Sequence, residues 1–308
     1  MTRTCLVLGA GGFIGASVTE RLLAEGWLVR GFDRPGVKVP RPLVQATGLA
    51  WVAGDFQDGA ALGAALEGVD AVVHLVSTTL PKNSNEAPIH DVETNLVATL
   101  RLLSLMVDKQ VRRIVYASSG GTVYGIPRSV PIREDHPTQP EVSYGITKLA
   151  IEKYLYLFGR LHGLRPVSLR IANPYGGLQR IDTAQGAVAA FLHRALRGEA
   201  VEIWGDGSVT RDYLHVNDVA TAFACALRYE GAHQVFNIGS GHGVSLNELA
   251  AAIEAETGRP LARQYLPGRN FDVPVSVLDN SLARAELGWS PAIGLAEGLR
   301  MTAAAIAR

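Results

Sequence analysis

The chain has 308 residues, 47% of them apolar, and its 29 basic and 29 acidic side chains leave no net charge. That length suits one open-sheet domain plus a smaller lobe, and the charge balance argues against a nucleic-acid surface or a basic membrane anchor. No run approaches the roughly 18 apolar residues of a membrane span. The apolar stretch after Arg3 is too short for a leader peptide and passes straight into glycines. Cys5 and Cys225 lie far apart in apolar contexts and read as buried core residues rather than a disulfide or metal pair. A cytoplasmic globular enzyme or binding protein is expected, with no metal, membrane or nucleic-acid partner.

In chain order, the first half alternates short β-branched runs with stretches of helical apolar spacing, as a parallel sheet with crossover helices would. Strands are predicted over Leu6–Leu8, Leu28–Phe32, Leu49–Ala53, Val69–Leu75, Ile114–Ala117 and Val167–Ile171. Helices are predicted over Ile14–Glu25, Asn95–Asp108 and Tyr144–His162, the last stopped by Gly163 with Pro166 beyond it. Strands as apolar as Ala71-Val-Val-His-Leu imply burial on both faces. Past Ile171 the alternation loosens. A polar, glycine-rich Asn173–Ile181 precedes a helix around Ala184–Leu196 and a strand over Val201–Trp204, which runs into Gly205-Asp-Gly-Ser. Asp218 reads as the N-cap of a helix through Arg228. A strand over Val235–Ile238, a helix over Leu246–Thr257 and a Pro/Gly-rich Leu266–Pro274 follow. With no repeat and no linker, two interwoven lobes with a cleft between them are expected.

Gly9-Ala-Gly-Gly12-Phe-Ile-Gly15 joins the first strand to the first helix in a GxxGxxG spacing, since Ile14 breaks a GxGxxG reading. Such a turn lets the backbone approach a pyrophosphate, and the helix N-terminus adds unpaired N–H groups and partial positive charge. Asp33 ends the second strand where an acid would accept hydrogen bonds from ribose hydroxyls and repel a 2′-phosphate. NAD is therefore favoured over NADP, although the adjoining Arg34 has the charge to hold a 2′-phosphate. Asp55, after the third strand, either reaches an adenine or braces its own turn.

Ser143-Tyr144-Gly-Ile-Thr-Lys148 opens the long helix, and residues four apart share one helical face. A lysine cation beside the phenol, helped by a positive nicotinamide ring, is expected to lower the tyrosine pKa from its usual value of about 10. A tyrosine tuned in this way takes a proton from a hydroxyl as hydride leaves the same carbon. His74 reads as a structural strand residue.

Taken in order, these motifs resemble the extended short-chain dehydrogenase/reductase family, especially its nucleotide-sugar 4-epimerases of the UDP-glucose 4-epimerase type. The resemblance covers nearly the whole chain. It includes Ser118-Ser-Gly-Gly-Thr-Val-Tyr-Gly125, Leu169-Arg-Ile-Ala-Asn-Pro-Tyr-Gly176 and Trp204-Gly-Asp-Gly-Ser-Val-Thr-Arg-Asp-Tyr-Leu-His-Val-Asn-Asp218. Phe236-Asn-Ile-Gly-Ser-Gly241 and Leu287-Gly-Trp-Ser-Pro291 complete it.

It implies an α/β fold: a Rossmann-like doubly wound parallel sheet over 1–172 with 212–240 returning to it, and a smaller interwoven C-terminal α/β substrate lobe from 173–211 and 241–308. It further implies that Leu75, Val76 and Ser77 line the nicotinamide ribose and that Asn95 lies near the cofactor. Phe13, Ile14, Phe56, Ser118 and Ala172 join the cofactor set with Tyr144 and Lys148. Asn173 would bond the sugar diphosphate, with Arg211 and Arg269 clamping it; otherwise these arginines are solvated surface groups. A homodimer through helices Asn95–Asp108 and Tyr144–His162 is also implied.

One departure stands out. The family usually carries a serine or threonine three residues before the valine of Val-Tyr-Gly, and Gly120 stands there. Ser119, Thr122 or a water would have to supply the missing donor. A serine restored at 120 is expected to leave activity intact or improve it if the site merely lacks a donor, and to cause a severe loss if substrate needs the space.

The leading expectation is NAD-dependent 4-epimerisation of a nucleotide-activated hexose, with a UDP-sugar foremost, through a transient 4-keto sugar. A 4,6-dehydratase is disfavoured because Gly121-Thr122 stands where the related dehydratases use an Asp-Glu pair. A reductase stays open, and so does a non-catalytic NAD(P)-sensing binding protein. Nucleotide and hexose identity would reside in 78–88 and 177–185, where the sequence offers no rule.

Overall fold

The computed structural model describes residues 3–81, 83–179, 186–268 and 273–306. It begins with β1 (Thr4–Leu8), α1 (Phe13–Ala24), β2 (Leu28–Asp33), β3 (Leu49–Ala53), α2 (Gly59–Ala65) and β4 (Ala71–His74). Next, α3 (Pro88–Asp91) runs through one π-helical turn at Val92–Val97 into α4 (Ala98–Asp108). Then come β5 (Arg113–Ser119), α5 (Ser143–His162), β6 (Arg165–Ile171), β7 (Asn173–Tyr175), α6 (Ala187–Arg197), β8 (Val201–Trp204) and β9 (Thr210–His215). The chain continues with α7 (Val216–Arg228), β10 (Val235–Ile238), β11 (Gly243–Ser245), α8 (Leu246–Thr257) and β12 (Arg263–Leu266). It ends with β13 (Val275–Ser276), α9 (Ser281–Leu287) and α10 (Leu295–Ile306).

Seven strands form one parallel sheet in the order β3-β2-β1-β4-β5-β6-β10. Side chains alternate across each strand. In β1, Cys5 and Val7 face a core with Val18 and Leu22 of α1 and Phe223 of α7. Leu6 and Leu8 face the opposite core, with Leu62 of α2, Leu102 and Met106 of α4, and Ile151 of α5. Each such fully buried aliphatic side chain contributes about 1.5–3 kcal/mol. The expected Rossmann-like α/β architecture is therefore present, and the near-continuous apolar strands are its cause.

The smaller lobe has its own core of Phe191, Leu192, Leu249, Ile253 and Leu299. Its sheet is mixed: β9 runs parallel to β7 and β13 and antiparallel to β11, while β8 pairs with β12. Ser245 and Glu248 form a reciprocal capping box at the start of α8. Gly163, with φ +71°, ends α5 as expected. No helix among the described residues is long and apolar enough to cross a membrane.

Three details differ from expectation. Asp218 is not an N-cap: α7 begins at Val216, and His215 Nδ1 accepts from the Asn217 N–H. Asp218 instead accepts from the Ile293 N–H and, through its carbonyl, from Trp289 Nε1, pinning the chain's last segment to α7. Secondly, α2 is a helix over a stretch with no predicted element, and Asp58 caps its Ala60 and Ala61 N–H groups. Finally, Cys225 is half-buried at the core's edge, whereas Cys5 is fully enclosed.

Candidate active site

The sheet order reverses between β1 and β4, which opens a crevice beyond their carboxyl ends. Gly9 adopts φ +84° there, and a Cβ on it would lie 3.4 Å from the Leu75 carbonyl carbon and the Val76 nitrogen. A Cβ on Gly15 would meet the Gly9 oxygen at 2.0 Å, so helix and turn touch through backbone alone. Gly12, at the N-cap of α1, presents no side chain to the first-turn N–H groups. This cradle, which a Cβ would fill, suits a pyrophosphate.

Asp33 overhangs the cradle. Its Oδ2 accepts from the Gly11 N–H and its Oδ1 from the Arg34 N–H, both at 2.8 Å. Its carboxylate is thus fixed where a ribose hydroxyl could join, while Arg34 is exposed. Phe13 and Ile14 are half-buried at the start of α1. Asp55 is exposed and accepts from the Gln57 N–H at 2.9 Å, which braces its turn. Phe56 is buried against the His74 ring. His74 is enclosed by Phe56 and Tyr116 and bonded to Thr99. Burial, then the Lys148 charge, pushes it down to about 3, so it is a neutral structural group.

Across the crevice, Tyr144, Lys148, Asn95, Val76 and Ser77 line one narrow cleft. Lys148 is buried and donates to the Ala117 carbonyl at 2.8 Å, with its Nζ 5.4 Å from the Tyr144 ring centre and 4.9 Å from that of Tyr116. Burial pushes its amine down to about 8 against the opposing pull of Asp91 and Glu152. The Tyr144 phenol moves in the direction opposite to expectation. Burial, then the Asp91 charge, pushes it up to about 12. Spacing alone brings the cation near the ring, but desolvation outweighs it in the protein's own environment.

The loop after β5 separates its hydroxyls. Ser118 is buried and donates to Glu152 at 2.5 Å. Ser119 is half-buried at the strand end. Thr122 Oγ1 is buried with no hydrogen-bond partner among the described residues, where the first turn of α5 closes over the loop. Gly120 is not an opening on the crevice: a Cβ there would lie 2.4 Å from Leu278 Cδ1. Leu278 already fills the space in front of it, so the expectation that a serine at 120 is accepted is withdrawn.

Ala172 follows β6 and donates its N–H to the Ile238 carbonyl. On the adjoining β7, Asn173 donates to the Asp212 carbonyl at 3.1 Å. Arg211, on β9 beside β7, is half-buried and donates to the Thr210 and Val273 carbonyls. Arg269 lies outside the described residues, as do residues 180–185 of the second segment expected to choose the sugar.

The profile of the "NAD dependent epimerase/dehydratase family" matches residues 5–239. The chain belongs to that family. Members similar to it include a UDP-glucose 4-epimerase of Mycolicibacterium smegmatis, 38% identical over 96% of both chains. The backbone of the present chain superposes on the UDP-glucose 4-epimerase of Thermotoga maritima crystallised with UDP-glucose, with a TM-score of 0.93, 34% identity and coverage of 99% and 98% of the two chains. The Thermus thermophilus UDP-glucose 4-epimerase in complex with NAD gives a TM-score of 0.90 at 34% identity and 99% coverage of each.

In this member of the family, sequence reasoning missed two buried carboxylates. Asp91, at the end of α3, accepts from Thr79, Asn95, Ser143 and Thr147. Glu152, one turn beyond Lys148, forms a two-pronged bridge with Arg170. Glu152 lay within reach as a glutamate on the buried face of the Tyr–Lys helix. Nothing local in the sequence pointed to Asp91.

Proposed function

We propose that the chain interconverts UDP-hexoses epimeric at C4 through a 4-keto sugar. The observation that carries this reading is the placement of Tyr144 and Lys148 by α5 beside the loop after β4, across the crevice from the glycine cradle and Asp33. NAD bound in that crevice supplies the acceptor and donor for the C4 hydride. Tyr144 removes the C4 hydroxyl proton and later returns it, and Lys148 steadies the phenolate by its charge. Ser119 is the reading's choice of third donor, since the Ser118 hydroxyl is spent on Glu152 and that of Thr122 is closed off. Gly9, Gly12 and Gly15 hold the pyrophosphate and Asp33 the ribose. Arg211, Asn173 and Arg269 grip the sugar diphosphate, for which a planar charged fork is well suited. A firm diphosphate grip and a loosely held hexose let the keto sugar turn over, so the hydride returns to its other face without net oxidation.

An exposed apolar ridge on α5 (Ile146, Tyr154, Leu157, Leu161), with exposed Ile89 and Val92 nearby in the α3–α4 helix, supports a homodimer through these helices. The test of function is incubation of the purified protein with UDP-galactose and no added reductant, followed by chromatography, and an assay for NAD released on denaturation. Formation of UDP-glucose by NAD-bearing protein is expected. Failure to interconvert any hexose in a panel of UDP-, dTDP-, GDP- and CDP-sugars would refute the assignment.

A further inference from the structure

Asp91 is fully enclosed, yet it joins three of the segments that frame the Tyr144–Lys148 cleft: the loop after β4, the π-helical turn and α5. Its Oδ1 accepts from Thr79 Oγ1 at 2.5 Å, in the loop after β4, and from Asn95 Nδ2 at 2.9 Å, in the π-helical turn. Its Oδ2 accepts from Ser143 Oγ at 2.7 Å and Thr147 Oγ1 at 2.9 Å, the residues immediately before Tyr144 and Lys148. Asn95 extends the clasp, accepting from the Thr78 N–H at 2.9 Å and donating to Thr78 Oγ1. A wider helical turn at this point lets Asn95 reach both Asp91 and the loop. Such turns recur at functional sites.

All four described donors to Asp91 are neutral hydroxyls or amides, so no cation is bonded to this carboxylate. A buried charge of that kind acts on its neighbours at low dielectric. We propose that Asp91 is a positioning residue for the reaction: through Ser143 and Thr147 it locks Tyr144 and Lys148 against the loop after β4, and its charge adds to the burial that opposes a second negative charge beside it. The inference rests on reading Tyr144 and Lys148 as the reacting pair. The charged and titratable groups facing them are Asp91 from α3, Glu152 from α5, Tyr116 from β5 and His74 from β4. Glu152 is already bridged to Arg170, and His74 is neutral. Asp91 is therefore the negative charge that, among the described residues, stands opposite Lys148 without a cation bonded to it. The upward push on Tyr144 attributed to it agrees with this.

Two substitutions separate charge from position. Asp91→Asn keeps the shape: its oxygen can still accept from Asn95, and its amide can donate to Ser143 and Thr147, whose hydroxyls accept as readily as they donate. Asp91→Ala removes charge and clasp together. Phenolate absorbance should be titrated in the NAD-loaded protein, with the spectrum of the Tyr144→Phe counterpart subtracted, and kcat and KM for UDP-glucose followed against pH. In Asp91→Asn the Tyr144 midpoint should fall by about one pH unit, and the rising limb of kcat should move with it at little change in KM. Asp91→Ala should lose at least about tenfold in kcat at every pH, as a misplaced pair would. An unmoved phenolate midpoint in Asp91→Asn, or variants that merely melt earlier with parental pH profiles, would overturn the proposal. If the parent turns over no sugar, the phenolate titration still decides the role of Asp91, so the two readings fail separately.

Discussion

Replacing Gly120 by serine tests what occupies the position where related motifs carry a hydroxyl. An added Cβ would lie 2.4 Å and 3.0 Å from the two terminal carbons of Leu278 and 3.1 Å from the Arg170 carbonyl oxygen. Neither neighbour can yield easily. Leu278 is 1% exposed and packed with Val123, Tyr124 and Ile132. Its N–H is bonded to Asp212, and the backbone on either side is tied to Ile132. Overpacking of this kind costs about 1–3 kcal/mol, which for a chain of this size lowers Tm by roughly 2–6 °C. Leu278→Ala alone should cost about 2–5 kcal/mol through the cavity it leaves. Combined with Gly120→Ser it should cost less than the sum, by about 0.5–3 kcal/mol, because each change relieves the other. Thermal melts of the four proteins, with kcat measured alongside, complete the cycle. If Gly120→Ser melts with the parent and turns over faster, the side chain at 120 points into the crevice and the packing argument is wrong.

Tyr144→Phe removes one hydroxyl and should cut kcat by about 10²–10⁴-fold while leaving Tm close to the parent's; near-normal turnover would end its assigned role. Asp33→Ala deletes the carboxylate held above the cradle and should weaken NAD binding by about tenfold, read by calorimetry, with NADP discrimination relaxed. An unchanged NAD affinity would place the ribose elsewhere. Lys148→Met should abolish turnover and also change how stability depends on pH. The folded Lys148 amine sits at about 8, below its ordinary 10.5, so its burial is a cost felt fully below pH 8 and gone above 10.5. The Tm of Lys148→Met relative to the parent should therefore be most favourable near about pH 7 and decline toward about pH 10, a swing of up to roughly 3 kcal/mol. A difference that grows with pH would contradict the shift.

The seven-stranded sheet was legible because its strands are short apolar runs whose two faces both need covering, a signal that survives without knowledge of the neighbours. The glycine turn was legible for a similar reason, since Gly15 answers to the backbone of Gly9 and Ala10, only a few residues away. What escaped depends on distant partners. The direction of a side chain at 120 is decided by Leu278 from the end of the chain, and no motif register carries that information. Asp91 becomes important only when α3, the loop after β4 and the first turn of α5 meet. The Tyr144 pKa failed in the same way. A four-residue spacing brings the Lys148 cation near the ring, but does not reveal the burial and the carboxylate that oppose phenolate.

The opposition itself has chemical sense. Glu152 and Arg170 cancel each other, which leaves Asp91 and Lys148 as one negative and one positive charge around a neutral Tyr144. Ionising Tyr144 in that setting would bury a net negative charge, which a low dielectric strongly disfavours. A cationic ring in the crevice removes the penalty, so Tyr144 can be anionic when the oxidised cofactor is present. With the hydride taken up, the ring would be neutral, and Tyr144 would restore the balance by having gained the sugar's proton. In the proposed reaction, proton and hydride would therefore leave the sugar together with the buried charge unchanged from start to finish, and they would return in the same way. A pair with Lys148 but without Asp91 would ionise more readily, though burial would still oppose phenolate, and it would hold the returning proton less firmly.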